Sequence, residues 1–367
     1  MAMPAVTVEA LPAAYGDSLL VTCALRSGVW RLLVDTGTDE CWPSLKARLS
    51  QLPATAAGQR HIDLAVVSHI DHDHIGAAAA MFSDESLGLK FDDIWFNAPP
   101  PQVTRGVAEG VSLSAMLGGK SVNLPWNVAW ARRPAVTPAE VPYFELPIRK
   151  GLPRITLLSP NPTSLDRLFS VWDKELKRLG QSEVPGPLPA VQRGGPVNLE
   201  ELANRKTATD RAPANGSSIA LLLEHKGVSV LLAADAHPTV LIPALKALAA
   251  HRGLPLPLQV DVFKLSHHGS RANVTVELMQ AIQAQHYIVS TNGAIFGHPD
   301  EEAIARVIVK GGSQRKLWFN YINDHTSRWT DPALQKKYGY SVGVPAPGKA
   351  QLSIELATKP PGRRRAR

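Results

Sequence analysis

Hydrophobic and polar positions fall along this chain in short blocks that predict strands first, then strands mixed with helices. Residues 6–10 alternate in the period of a half-buried strand, and 18–23 and 30–34 are apolar runs. Gly16-Asp17 and Ser27-Gly28 mark the turns between them. Helical spacing over 43–52 leads into a further apolar run at 62–67, and 91–97 predicts another strand. Beyond 216, the runs 218–225 and 228–234 flank Glu224-His225-Lys226-Gly227 and predict a hairpin. Helices are then expected at 239–251, 274–284 and 300–310, between strands at 260–265, 287–291 and 316–321. After 321 the pattern fades. This alternation predicts an α/β protein.

Between about 98 and 215 the pattern changes. The span is rich in Pro, Gly and Arg, with breakers at Pro99-Pro100-Pro101, Pro185-Gly186-Pro187 and Gly194-Gly195-Pro196. Only 165–179 keeps helical spacing, with opposite charges on its polar face. The span reads as an insertion, either packed over a functional site or a surface elaboration without a role. A single domain over 1–357 is therefore expected, followed by a basic tail over 358–367.

Composition sharpens this only in places. With 367 residues, 44% of them hydrophobic, the chain can bury a sizeable core. Cys23 and Cys41 give neither a disulfide framework nor zinc-ribbon spacing, so a reducing cytoplasm is the expected setting. The first residues lack the pattern of a signal peptide and no run is long enough for a membrane span, so no membrane partner is expected. The net charge of +7 hints at nucleic acid, but Lys359, Arg363, Arg364, Arg365 and Arg367 supply five of those charges. Without them the remainder is +2, close to neutral. The basic feature is an arm, suited to phosphate contact or to solubility alone.

The chemistry gathers where the 62–67 run ends, in Ser68-His69-Ile70-Asp71-His72-Asp73-His74-Ile75-Gly76. Gly76 and the alanines after it read as the opening of a helix. Three His and two Asp thus sit in the turn between a buried strand and a helix, where open α/β layers bind ligands. Burying five such side chains without partners would cost on the order of several kcal/mol each, so packing does not explain them. Imidazole and carboxylate together suit Zn, Mn or Fe. The 30–34 run also closes on a carboxylate, in Asp35-Thr36-Gly37, and later runs close on Asp235 and on His267-His268-Gly269-Ser270.

The stretch resembles the His-x-His-x-Asp-His signature of the metallo-β-lactamase-fold hydrolases. His69, Asp73 and His74 take its first, fifth and sixth positions. Asp71 stands at the third, normally His, and His72 falls on the free fourth position, in a supporting or exposed place. The resemblance implies a four-layer αββα sandwich, here with the Pro/Gly-rich insertion. It also implies that Asp35 supports the metal loop, that Asp235 bridges two divalent ions, and that His267 or His268 completes the second. A third His for the first ion is common in that fold, but none occurs from 75 to 224. Asn215, Ser217 and Ser218 occupy the region instead. The first ion would then have His69, Asp71 and Asp235, with an amide or hydroxyl oxygen, a set leaning toward Mn²⁺ or Mg²⁺. The second, with Asp73, His74, Asp235 and a His, suits Zn²⁺ or Mn²⁺.

A narrower resemblance follows from Asn215-Gly-Ser-Ser-Ile, Leu-Leu-Ala-Ala-Asp235, Phe-Lys-Leu-Ser-His-His-Gly-Ser270 and Gly-His298-Pro299, in that order. This series looks like the hydrolase domain of the DNA-uptake competence protein ComEC and its free-standing relatives. It implies a phosphodiesterase or nuclease with nucleic acid as substrate, in which a hydroxide held by the ions attacks phosphorus. Asp73 and His298 would be catalytic, His298 protonating the leaving oxygen or holding the phosphate. Two alternatives remain: a small ester, lactone or thioester on the same dinuclear site, or a degenerate site that only binds. A regulatory protein partner would suit a nuclease that must be restrained. The oligomeric state is open.

Overall fold

The computed structural model describes residues 3–99, 113, 124–181 and 197–360. Two sheets face each other. The first contains β1 (Val6–Ala10), β2 (Leu19–Ala24), β3 (Val29–Val34), β4 (Arg60–Val66), β5 (Leu89–Trp95) and β14 (Leu352–Leu356), in the order β14-β1-β2-β3-β4-β5. The second contains β6 (Phe144–Glu145), β7 (Arg154–Ser159), β8 (Ala220–His225), β9 (Val228–Leu232), β10 (Leu258–Lys264), β11 (Ile282–Val289), β12 (Lys316–Phe319) and β13 (Ser341–Gly343). Its order runs from β13 down to β6.

Strand periodicity divides the apolar residues into three cores. Along β2, Leu19, Val21 and Cys23 point between the sheets while Leu20 points outward. The middle core joins Val8, Val21 and Leu32 of the first sheet to Leu221, Val230 and Val262 of the second. Outside the first sheet, Leu45 and Leu49 of the helix Trp42–Ser50 join Leu168 and Trp172 of the helix Pro162–Gln181. Outside the second sheet, the helices Pro238–Arg252, Val276–Ala281 and Glu301–Lys310 supply Leu241, Leu245, Leu278, Ile304 and Ile308. Helix, sheet, sheet, helix is the four-layer αββα sandwich that the sequence leads one to expect.

Three local expectations need correction. The span 98–215 is partly sheet: β6 and β7 extend the second sheet, β7 pairing antiparallel with β8. The run Arg154-Ile-Thr-Leu-Leu-Ser159 has strand character that the surrounding breakers obscure. The helix expected over 274–284 stops at Ala281, because Ile282, Gln283 and Ala284 pair in parallel with β10. The faded end of the chain supplies β14, which pairs with β1 and closes that edge. Pro100-Pro101, Pro185-Gly186-Pro187, Gly194-Gly195-Pro196 and the arginines of the tail lie outside the described residues. Among the described residues no helix is long and apolar enough to cross a membrane.

Strands β3, β4 and β5 run parallel, and so do β9 to β13. Loops at their carboxyl ends meet: Ile219 N–H donates to the Ser68 carbonyl, and Ser290 Oγ to the Gly16 carbonyl. This is where strand-end ligand sites form in layered α/β proteins.

Candidate metal centre

Each strand at this rim delivers polar side chains. Asp35 follows β3, Ser68 to His74 follow β4, Asp235 follows β9, and His267 and His268 follow β10. The backbone bends sharply to aim them. Asp35, Ala234, His267 and His268 all have left-handed φ (60°, 46°, 48° and 53°), a conformation that side chains with a Cβ rarely adopt. The loop before β2 presses equally close. A Cβ on Gly16 would lie 1.7 Å from the Asp73 carbonyl oxygen, so only glycine fits.

Hydrogen bonds fix the imidazole tautomers. His268 Nδ1 lies 2.8 Å from the Ser290 carbonyl, which can only accept, so Nδ1 carries hydrogen. His74 Nδ1 donates to Asp35 Oδ2 at 2.8 Å. Ser68 Oγ donates to the same carboxylate, so its lone pair accepts from His69 Nδ1 at 3.0 Å. His267 Nδ1 faces Asn273 Oδ1 at 3.0 Å and Asp210 Oδ2 at 3.2 Å. In the neutral rings all four Nε2 atoms then present lone pairs, aimed at Asp73 and Asp235.

These atoms form two groups that share Asp235. In the deeper group, His74 Nε2 and His268 Nε2 are 3.2 Å apart, with Asp235 Oδ1 3.4 Å from the former and Asp73 Oδ2 3.1 Å from the latter. In the outer group, His69 Nε2 lies 3.6 Å from Asp71 Oδ2, while Asp235 Oδ2 lies 3.9 Å from His69 Nε2 and 3.6 Å from His267 Nε2. Two lone pairs at 3.2 Å, set among carboxylates, repel one another unless a positive charge sits between them. His69 Nε2 and Asp235 Oδ1 are buried with no hydrogen-bond partner. Asp17, His74, Asp235 and His268 also lie close enough together to hold one ion. The donor set fits divalent cations.

The choice between His267 and His268 resolves into one for each group. His267 lies in the outer group, where its Nε2 is 3.6 Å from Asp235 Oδ2. Asn215 is not at that place as an oxygen donor; its amide nitrogen donates to Asp210 at 2.7 Å and so braces His267 from behind. Ser217 Oγ donates to the Ala214 carbonyl, away from the cluster, and Ser218 Oγ is buried without a partner. His72 turns outward, 3.2 Å from Asp39. His225 caps the far end of its hairpin on the Ala24 carbonyl. His298 is packed against His267, ring centroids 5.3 Å apart, with Nδ1 buried without a hydrogen bond, 3.6 Å from Asp300 Oδ2.

Charge in the metal-free cluster is sharply redistributed. Burial alone would raise Asp73, but His74 and His268 beside it lower it to about 2. Asp235 is held well below the usual carboxylate range, against burial, by His267, His74 and His268. In return burial is overcome at His74, raised well above its ordinary value by Asp235, Asp73 and Asp35, and at His268, raised to about 9 by Asp235 and Asp17. His298 goes the other way: burial, then positive His267 and His268, push it well below, and it stays neutral.

Four supporting residues escape a reading of the sequence. Asp17 looks like a turn residue, yet it is fully buried, ion-paired to Lys264, and 3.4 Å from His268 Nδ1. Lys264 was hidden in an apolar strand; a lysine inside such a run was the available signal. Asp210 sits in a polar stretch without periodicity and takes hydrogen bonds from Ala212, Asn215 and Asn273. Nothing local distinguishes it or Asn273.

The sequence model of the metallo-beta-lactamase superfamily matches residues 30–84, from β3 through the histidine-rich loop. Among curated proteins no sequence matches this chain. Among solved structures, it is similar to the metallo-beta-lactamase fold protein YhfI from Bacillus subtilis, at 12% identity and TM-score 0.43, over 95% of this chain and 100% of that one. It is also similar to CmlA, a diiron beta-hydroxylase from Streptomyces venezuelae, at 13% identity and TM-score 0.38, over 97% of this chain and 55% of that one. The match over 30–84, the two-sheet sandwich and the buried histidine–carboxylate cluster support a place in the metallo-beta-lactamase superfamily, whose members are typically hydrolytic metalloenzymes.

Proposed function

We propose that the protein is a metal-dependent phosphodiesterase, a nuclease in its natural setting. The carrying observation is the convergence of four tautomer-fixed imidazoles and the carboxylates of Asp71, Asp73 and Asp235 on two adjoining places. His69, Asp71, His267 and Asp235 would hold one divalent ion; Asp73, His74, His268 and Asp235 would hold the other. Each set offers two imidazoles and two carboxylates, a mixture that suits Mn²⁺ or Zn²⁺ at both places. Bound there, such ions supply Lewis acidity and activate water for attack at phosphorus.

The chain's own groups do the rest. Asp235 holds both places in register, and Asp73 closes the deeper one. His298, packed against His267, has an N–H to donate, so it is suited to hold a phosphoryl or leaving oxygen. The choice of phosphodiester over carboxylic ester is supported by the motif series resembling the competence-protein hydrolase.

Metal-stripped protein should cut plasmid and single-stranded DNA only after Mn²⁺, Mg²⁺ or Zn²⁺ is returned, and Asp73→Ala should abolish the cutting. Hydrolysis of a carboxylic ester with no cleavage of any phosphodiester would reject this reading.

A further inference from the structure

We infer that Phe296 is a stacking platform for an unpaired base next to the scissile phosphate, which makes single-stranded nucleic acid the substrate of this site. The inference rests on the phosphodiesterase reading above. Phe296 lies in the loop after β11, two residues before His298, and is 51% exposed. Single apolar side chains on a surface need no explanation in general; the position of this one does. Its ring centroid is 6.3 Å from that of His298, which in turn is 5.3 Å from that of His267. One imidazole therefore separates an exposed aromatic ring from the outer group of the centre.

The ring is exposed yet held. Tyr15, itself buried, meets it edge-to-face at 5.7 Å, a contact that covers at most one face. Tyr15 precedes Gly16, the residue packed directly on Asp73, so the platform and the metal loop are fixed to one another. The loop is pinned on both sides. Asn292 N–H donates to the Ala14 carbonyl at 2.8 Å, Asn323 donates to the Asn292 carbonyl at 2.7 Å, and Gly297 N–H donates to Gly293 at 3.1 Å. An aromatic ring ordered before binding loses little freedom when a ligand stacks on it. Every base has a π-face, so such a platform accepts any base, but a base already stacked in a duplex is not available to it.

The test compares cleavage of a single-stranded oligonucleotide, the same strand carrying abasic sites, and a duplex, by the metal-loaded wild type, Phe296→Ala, Phe296→Leu and Phe296→Trp. In the wild type, KM should be lower for the base-bearing strand than for the abasic one by roughly five- to a hundredfold. Phe296→Ala and Phe296→Leu should erase that gap, the effect falling on KM and not on kcat, with bound metal retained; Phe296→Trp should keep it. A gap that survives in Phe296→Ala, or that Phe296→Leu preserves, overturns the stacking role. So does a wild type that cuts base-bearing and abasic strands alike, and in each of these cases the phosphodiesterase reading stands. A wild type that cuts no strand with any metal overturns both.

Discussion

The two halves of the centre share Asp235 but are built differently. The deeper half is sealed: the side chain of His268 is 1% exposed, and behind it lie Asp17, Lys264 and the Ser290 carbonyl. The outer half is open: the His267 side chain is 23% exposed, and its support is Asp210, held by Asn215 and Asn273. Ordered strand ends brace the first, an irregular polar segment the second. A sealed, fully braced place is the one expected to hold an ion more tightly, and the open one to exchange it more readily.

The largest effect should come from the residue that belongs to both halves. Asp235→Ala should remove both ions and lower metal-restored cleavage by about a thousandfold or more, read by metal analysis and initial rates. If one ion remained at full occupancy, the two halves would not depend on a shared bridge.

Next come the buried supports of the deep half, whose failure should be one of folding. Lys264→Met leaves the Asp17 carboxylate buried without its partner, and Asp17→Asn leaves a buried ammonium. Each should cost about 3–5 kcal/mol in denaturant unfolding, and the double Lys264→Met/Asp17→Asn should recover part of the loss. By contrast Asp210→Ala, which strips an acceptor from Ala212, Asn215 and Asn273, should cost less, about 1–3 kcal/mol, and weaken the outer ion by about ten- to a hundredfold in titrations. Equal losses at both ions would erase the distinction.

Acidity offers a gentler probe of the same contrast. In the metal-free protein the folded-state pKa values of His74, His267 and His268 are raised, His268 to about 9. Groups raised on folding bind more protons folded than unfolded, so they stabilise below about 6.5 and that contribution is lost as pH rises toward 9. The Tm of the metal-free protein should therefore fall between pH 6.5 and 9. Metal binding must displace those protons, so ion affinity should rise over the same interval and the metal-loaded protein should lose the downward slope. The smallest effect belongs to His72→Ala. It lies in the motif but points to Asp39, and the change should stay within about 0.5 kcal/mol and keep the metal.

The pattern of what could be read from the sequence follows the same division. His69 to His74 were legible because ligands crowd one strand end, and Asp35, Asp235 and His267-His268 because each interrupts an apolar run where a strand must stop. The tautomers, and with them the assignment of one histidine to each half, depend on Ser290, Asn273 and Asp210, whose nearness to the rings is set by the meeting of two sheets. Asp17 read as a turn because its partner Lys264 is far away in the chain. The same limit hid β14, which finds β1 across almost the whole sequence, and β7, whose strand-like residues lie among prolines and glycines. Local propensity shows where strands end; it does not show which ends meet.

Asp35 touches neither group of converging atoms, yet it serves both: it accepts from His74 directly and from His69 through the Ser68 hydroxyl. Ordering either imidazole therefore helps to order the other. If two ions load there, their binding should be linked, the first making part of the conformational adjustment that the second would otherwise require. A single carboxylate would then carry positive cooperativity in loading, and Asp35→Ala should turn one steep isotherm into two shallow ones.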